Sequence, residues 1–104
     1  MIKKQSKSQL QLQLRIRNTA RESERIFVTK HAESQMRRRA ITRKLMEEVL
    51  RGGLLRREPE LNLAFGTLEC RMERFCAGRD LGVVVALSDE DPDLVVVTAM
   101  VIGD

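Results

Sequence analysis

The chain has 104 residues, a net charge of +4, no Trp or Tyr, three Phe, two Cys and a single His. That length suits one modest aliphatic core, and so few aromatic rings argue against base stacking as a means of holding single-stranded RNA. No apolar run reaches the roughly 20 residues that cross a bilayer, and "MIKKQSKSQLQLQL" lacks the apolar centre of a secretion signal, so a cytoplasmic protein without a membrane partner is expected.

The charge is split along the chain. Residues 1–57 carry 16 Lys and Arg against 5 Asp and Glu, whereas residues 58–104 carry 3 against 10. The basic half is a candidate surface for an anionic partner such as nucleic acid, although solvated helix faces are often equally basic.

From the N-terminus, residues 1–24 read as a basic segment whose first few positions fray, with a helix expected from Gln5 to Glu24 carrying Arg15, Arg17, Arg21 and Arg25 outward. Residues 25–104 read as an α+β unit, and the two parts together as one domain. "RIFV" is a short extended or linking piece. Thr29 can cap a second helix over "KHAESQMRRR", with Glu33 in its first turn, where a carboxylate favours the helix dipole. Ala32 and Met36 share one face of that helix; His31, Gln35 and Arg38 line a neighbouring one. Thr42 caps a third helix, whose Leu45, Met46, Val49 and Leu50 form an apolar stripe ending at Gly52 and Gly53.

After the glycine pair the period changes to that of strands. "LLRRE", "TLECRMERFC", "LGVVVALS" and "LVVVTAMVI" are separated by the turn chemistries "PELN", "AGRD" and "DEDPD". Their closeness predicts antiparallel hairpins, hence N-terminal helices packed on a three- to four-stranded antiparallel sheet. In the last strand Leu94, Val96, Thr98, Met100 and Ile102 are expected on one face and Val95, Val97, Ala99 and Val101 on the other. Two apolar faces imply a central strand covered on both sides, by the helices and by a partner chain if there is one. Arg74 falls on the more apolar face of "TLECRMERFC", either as part of a site at the sheet edge or as a side chain snorkelling to water. Cys70 and Cys76, six apart in one strand, are too distant to pair and read as reduced thiols.

The run "FVTKHAESQMRRRAIT", the following "LMEEVLRGG" and the closing "LGVVVAL...DLVVVTAMV" resemble the bacterial domain-of-unknown-function family 4258. Its members typically show T-x-HA-x-x-RM-x-x-RGI-[ST], a V-L-x-x-G helix end and a final V-V-T strand. The resemblance covers roughly residues 26 to 102. It implies a fold related to RelE/ParE-like toxins and compact RNA-cleaving domains, and it marks His31, Ala32, Met36, Arg39, Ile41, Thr42, Gly53 and Thr98. The chain departs from the pattern at Gln35, where Arg is usual, at Arg38, where Glu is common, and at Ala40, which stands in place of the turn Gly.

These residues frame the functional expectations. RNA cleavage needs a proton shuttle and stabilisation of phosphate charge, for which His31, Arg38, Arg39 and Arg74 are the candidate catalytic groups. Lys30, Arg37, Arg43 and Lys44 are candidate nucleic-acid contacts. Thr29, Met36 and Thr98 are read as structural members of the motif. A toxin of this type implies a cognate antitoxin as partner. The alternatives are a His31 that only positions its helix, a non-catalytic nucleic-acid-binding or protein-interaction module, and a homodimer. One His and two separated Cys do not make a metal site, and no cofactor is expected.

Overall fold

The computed structural model describes residues 5–103, so residues 1–4, read from the sequence as frayed, lie outside it. Helix α1, Lys7–Thr19, starts at a capping box: the Gln9 N–H donates to Ser6 Oγ at 3.1 Å and the Ser6 N–H to Gln9 Oε1 at 2.8 Å. It stops short of the expected Glu24, and a 3-10 turn over Ser23–Arg25 follows. Its buried residues are Gln9, Gln13, Ile16 and Thr19, with Leu12 packed partly against the core, while Leu10 and Leu14 point to solvent. Gln13 earns that position chemically, because its Oε1 accepts the Leu55 N–H at 2.9 Å.

Strand β1 (Ile26–Val28) leads into α2 (Lys30–Arg38) and α3 (Arg43–Gly52). Both helix starts follow the threonine expectation: Thr29 Oγ1 accepts from the Ala32 N–H and Thr42 Oγ1 from the Leu45 N–H, each at 3.1 Å. The strands β2 (Leu54–Leu55), β3 (Glu60–Asn62), β4 (Thr67–Cys76), β5 (Arg79–Leu87) and β6 (Leu94–Val101) complete the fold.

The architecture is α+β, and the sheet is larger and more mixed than three or four antiparallel strands. It has six strands in the order β1-β6-β5-β4-β2, with β3 also on β4. The long β4, β5 and β6 are antiparallel neighbours, as expected, but "RIFV" becomes an edge strand parallel to β6, with Ile26 opposite Leu94. The long intervening chain supplies the crossover that parallel pairing requires. "PELN", expected to turn, contributes Glu60 to Asn62 to β3 instead. Among the described residues no helix is long and apolar enough to cross a membrane.

The helices cover one sheet face, where Cys70 and Met72 of β4, Leu81, Val83 and Val85 of β5, and Leu94, Val96 and Ala99 of β6 join Ile16, Met46, Val49 and Leu50 in the core. The faces of β6 depart from strict alternation. Val85 pairs with Val96 but Val84 with Thr98, so Val97 is an extra residue, and this bulge turns Ala99 inward and Thr98 and Met100 to the open face. A two-residue turn, Ala77 and Gly78, both at positive φ, joins β4 to β5. Gly53 lets α3 meet the sheet, since a Cβ there would lie 2.4 Å from the Val49 carbonyl oxygen and 2.9 Å from that of Glu73.

Candidate functional site at the edge of β6

β1 pairs with β6 only as far as Val96, and the Thr29 N–H makes the last contact, 3.0 Å to the Val96 carbonyl. Beyond that point α2 runs past the free edge of β6. His31, Gln35 and Arg39 recur every fourth residue and so share one helix face. Gln35 Oε1 accepts the Ala99 N–H at 3.0 Å, and Arg39 Nη1 donates to the Ala99 carbonyl at 2.6 Å. Two side chains thus satisfy both backbone groups of Ala99, as a neighbouring strand would.

The fixed Gln35 oxygen leaves its amide nitrogen facing His31, with 3.1 Å between Gln35 Nε2 and His31 Nε2. An amide N–H can only donate, so this contact is a hydrogen bond in the tautomer whose Nε2 accepts and whose proton sits on Nδ1. The ring itself is exposed.

The arginines after His31 diverge. Arg37 and Arg38 are exposed and their side chains make no hydrogen bond or ion pair among the described residues, while the Arg39 side chain is committed to Ala99. Arg43 is tied down: Nε lies 3.0 Å from Glu47 Oε2, and Nη2 donates to the Ser23 and Ile26 carbonyls. Lys30 and Lys44 are exposed and unpaired among the described residues. Arg74, at the far end of β4, lies over Gly52 and reaches the Glu48 carbonyl at 3.5 Å, which is the snorkelling alternative; it is not grouped with the α2 residues. Met36 is buried under α2, Thr29 caps it, and Thr98 sits half-buried on the open sheet face opposite Val84.

Much of the basic excess serves the protein's own carbonyls. Arg17 donates to Gly52 and Gly53 at the end of α3, and Arg79 to Arg39 and Ala40 at the end of α2; Arg51 donates to Ala20, and Arg15 to Ser88. Helix C-termini expose unpaired carbonyls and negative dipole ends, and a forked guanidinium meets both needs. Arg17, expected to face outward, instead binds the end of α3, and Arg79 was not singled out at all. The available signal was an Arg next to a turn glycine and another on a helix with no acidic neighbour to pair with.

Cys70 and Cys76 are not joined in a disulfide. Burial pushes the Cys70 thiol up to about 11, with Arg15 opposing, and raises Cys76 as well. Among the described residues no cluster of His, Cys, Asp and Glu has the arrangement of a metal centre.

The family model for a domain of unknown function, DUF4258, matches residues 28–101, and the chain belongs to that family. The match runs from the last residue of β1 to the end of β6 and so includes the whole α2–β6 joint, leaving α1 outside. No curated protein and no solved structure matches the chain.

Proposed function

We propose that this protein is a non-catalytic module that binds RNA as a polyanion through the outward ridge of α2 and the start of α3. The observation that carries the reading is the division of the cations: Lys30, Arg37, Arg38 and Lys44 are exposed without partners among the described residues, whereas Arg39 and Arg43 are held by the fold. Phosphate neutralisation needs exposed, mobile cations and no fixed pocket. Glu33 lies on the same helix and moderates the local charge.

Binding of a labelled single-stranded RNA, followed by fluorescence anisotropy over a salt series, tests it. Four phosphate contacts give a slope of log K on log salt of about −3. Replacing Lys30, Arg37, Arg38 and Lys44 together by Ala is expected to abolish the binding. An RNA that fails to bind at low salt leaves protein interaction as the function.

A RelE/ParE-like ribonuclease, with a cognate antitoxin, is the second reading. It is favoured by the exposed His31 ring, whose Nδ1 is not engaged by Gln35, on the same helix face as the Arg39 guanidinium. In that reading Nδ1 handles the proton and Arg39 meets phosphate charge. Incubating RNA with wild type and His31→Ala decides it: equal cleavage by both, or none by either, removes His31 as a catalyst.

A further inference from the structure

All three phenylalanines are surface residues: Phe27 is 54% exposed, Phe65 79% and Phe75 68%. A chain with so little aromatic content would be expected to bury it, because aromatic rings contribute the largest apolar areas to a core. Phe27 lies opposite Val95 on the open sheet face, and Phe65 overhangs the same face from the β3–β4 turn.

Phe65 borders a hollow of about 650 Å³ on this face, whose apolar floor is Ala86, Val95 and Val97. Its remaining lining includes Glu69, Asp91 and Asp93 and contains no Lys or Arg. Asp93 is paired with Arg25 at 3.1 Å. Glu69 receives only the Asn62 amide, and Asp91 only the Asp93 N–H, so these two carboxylates have no cationic partner among the described residues. The hollow spans β6, β5 and β4, about 10–15 Å at the spacing of strands, which is the diameter of a helix.

The complementary shape is present on the same chain. Leu10 and Leu14 of α1 are 44% and 47% exposed, four residues apart on one helix face. Lys7 precedes them by one turn and Arg21 follows, both exposed and unpaired among the described residues. α1 and the turn that ends it therefore present an apolar pair flanked by Lys7 on the helix and Arg21 in the turn, while the hollow presents an apolar floor beside two unneutralised carboxylates.

We infer that α1 of one copy docks in the open-face hollow of a second copy, Leu10 and Leu14 on the apolar floor and Lys7 and Arg21 near Glu69 and Asp91. Packing the two open faces directly on each other is disfavoured, because it brings each acidic rim against its own copy. A helix-into-hollow contact instead sets the basic half of one chain on the acidic half of the next. Closed about a two-fold axis the contact forms twice; left open it propagates into longer assemblies.

Sedimentation velocity on the full chain, free of nucleic acid, over a concentration series tests the contact. Wild type is expected to shift from monomer to dimer or larger with rising concentration. Leu14→Glu and Phe65→Glu alter exposed side chains, so each is expected to keep the wild-type circular dichroism while remaining monomeric. An equimolar mixture of the two is the discriminating sample: Leu14→Glu retains an intact hollow and Phe65→Glu an intact ridge, so a 1:1 complex is expected to form. A wild type that stays monomeric throughout overturns the inference, as do variants that associate like wild type or a mixture in which no complex appears.

Discussion

Gln35 and Ala99, 64 positions apart, are joined by a 3.0 Å hydrogen bond from the Ala99 N–H to Gln35 Oε1. This bond, with that of Arg39 to the Ala99 carbonyl, fastens α2 to the strand edge that β1 leaves uncovered. An Arg at this position, as in the motif the run resembles, would have no acceptor to offer that N–H. Gln35 is therefore a structural choice with a chemical consequence, since the same amide engages the His31 ring.

Gln35→Leu leaves the Ala99 N–H buried without a partner, at a cost of about 1–3 kcal/mol. Gln35→Arg is expected to be no better, because it restores a donor where an acceptor is needed. Urea unfolding of both variants measures the loss, and hydrogen exchange locates it as faster exchange of the Ala99 amide. An unchanged Ala99 exchange rate in Gln35→Leu refutes the joint.

The parts of the fold visible in the sequence are those set by local chemistry. Thr29 and Thr42 mark helix starts because a side-chain oxygen can take an orphan N–H, and Gly53 marks a helix end because a Cβ would strike backbone there. Long-range pairing was not visible. Nothing local to "RIFV" indicates that it will lie parallel to β6, and the Val97 bulge, which reverses the faces of Thr98 and Met100, has no signature in a run of valines. The candidate site was half legible. The i, i+4 spacing placed His31 with Gln35, but the residue that organises them is the backbone of Ala99, whose polar groups carry no sequence signal.

Glu47 predicts a pH dependence. Its carboxylate accepts the Ser23 hydroxyl at 2.5 Å and sits 3.0 Å from both Arg43 and Arg51, and these contacts, Ser23 foremost, hold it below its ordinary 4.5. A carboxylate with a lowered native pKa contributes stability that is present above about pH 4.5 and is lost as the pH falls through its folded value. Glu47→Gln is expected to lower stability at neutral pH by about 1 kcal/mol and to flatten the acid limb. Parallel acid limbs for the two proteins in urea titrations at several pH values contradict this.

Cys70 governs the opposite limb. Its thiol titrates near 11 in the fold against an ordinary 9.0, so between those values the unfolded chain releases a proton that the native one keeps. Stability from this source is complete below about pH 9 and falls as the pH rises toward 11, with a limit of order 2 kcal/mol. The chain contains no Tyr to add to this range. Cys70→Ala is expected to be less stable at neutral pH because of the cavity, yet less sensitive to alkali than wild type. A thiol reagent is expected to label the half-exposed Cys76 in the native protein and Cys70 only on unfolding, which mass spectrometry resolves.

Ala40 stands where the motif the run resembles has a turn glycine, and its φ of 52° lies in the left-handed region. The helix end around it is a Schellman motif: the Ile41 N–H donates to the Met36 carbonyl at 2.8 Å, the Ala40 N–H to that of Arg37 at 3.4 Å, and the buried Ile41 seals the turn. A side chain in that conformation costs about 1–2 kcal/mol, of which the greater unfolded-state freedom of glycine returns part. Ala40→Gly is expected to stabilise the protein by about 0.5–1 kcal/mol. Ala40→Val, with a β-branched side chain at positive φ, is expected to destabilise it by more than 1 kcal/mol, roughly. Thermal unfolding of the pair is decisive, since the two substitutions move stability in opposite directions only if the backbone at this residue is left-handed. A glycine variant that melts below wild type shows that the turn takes another conformation in solution.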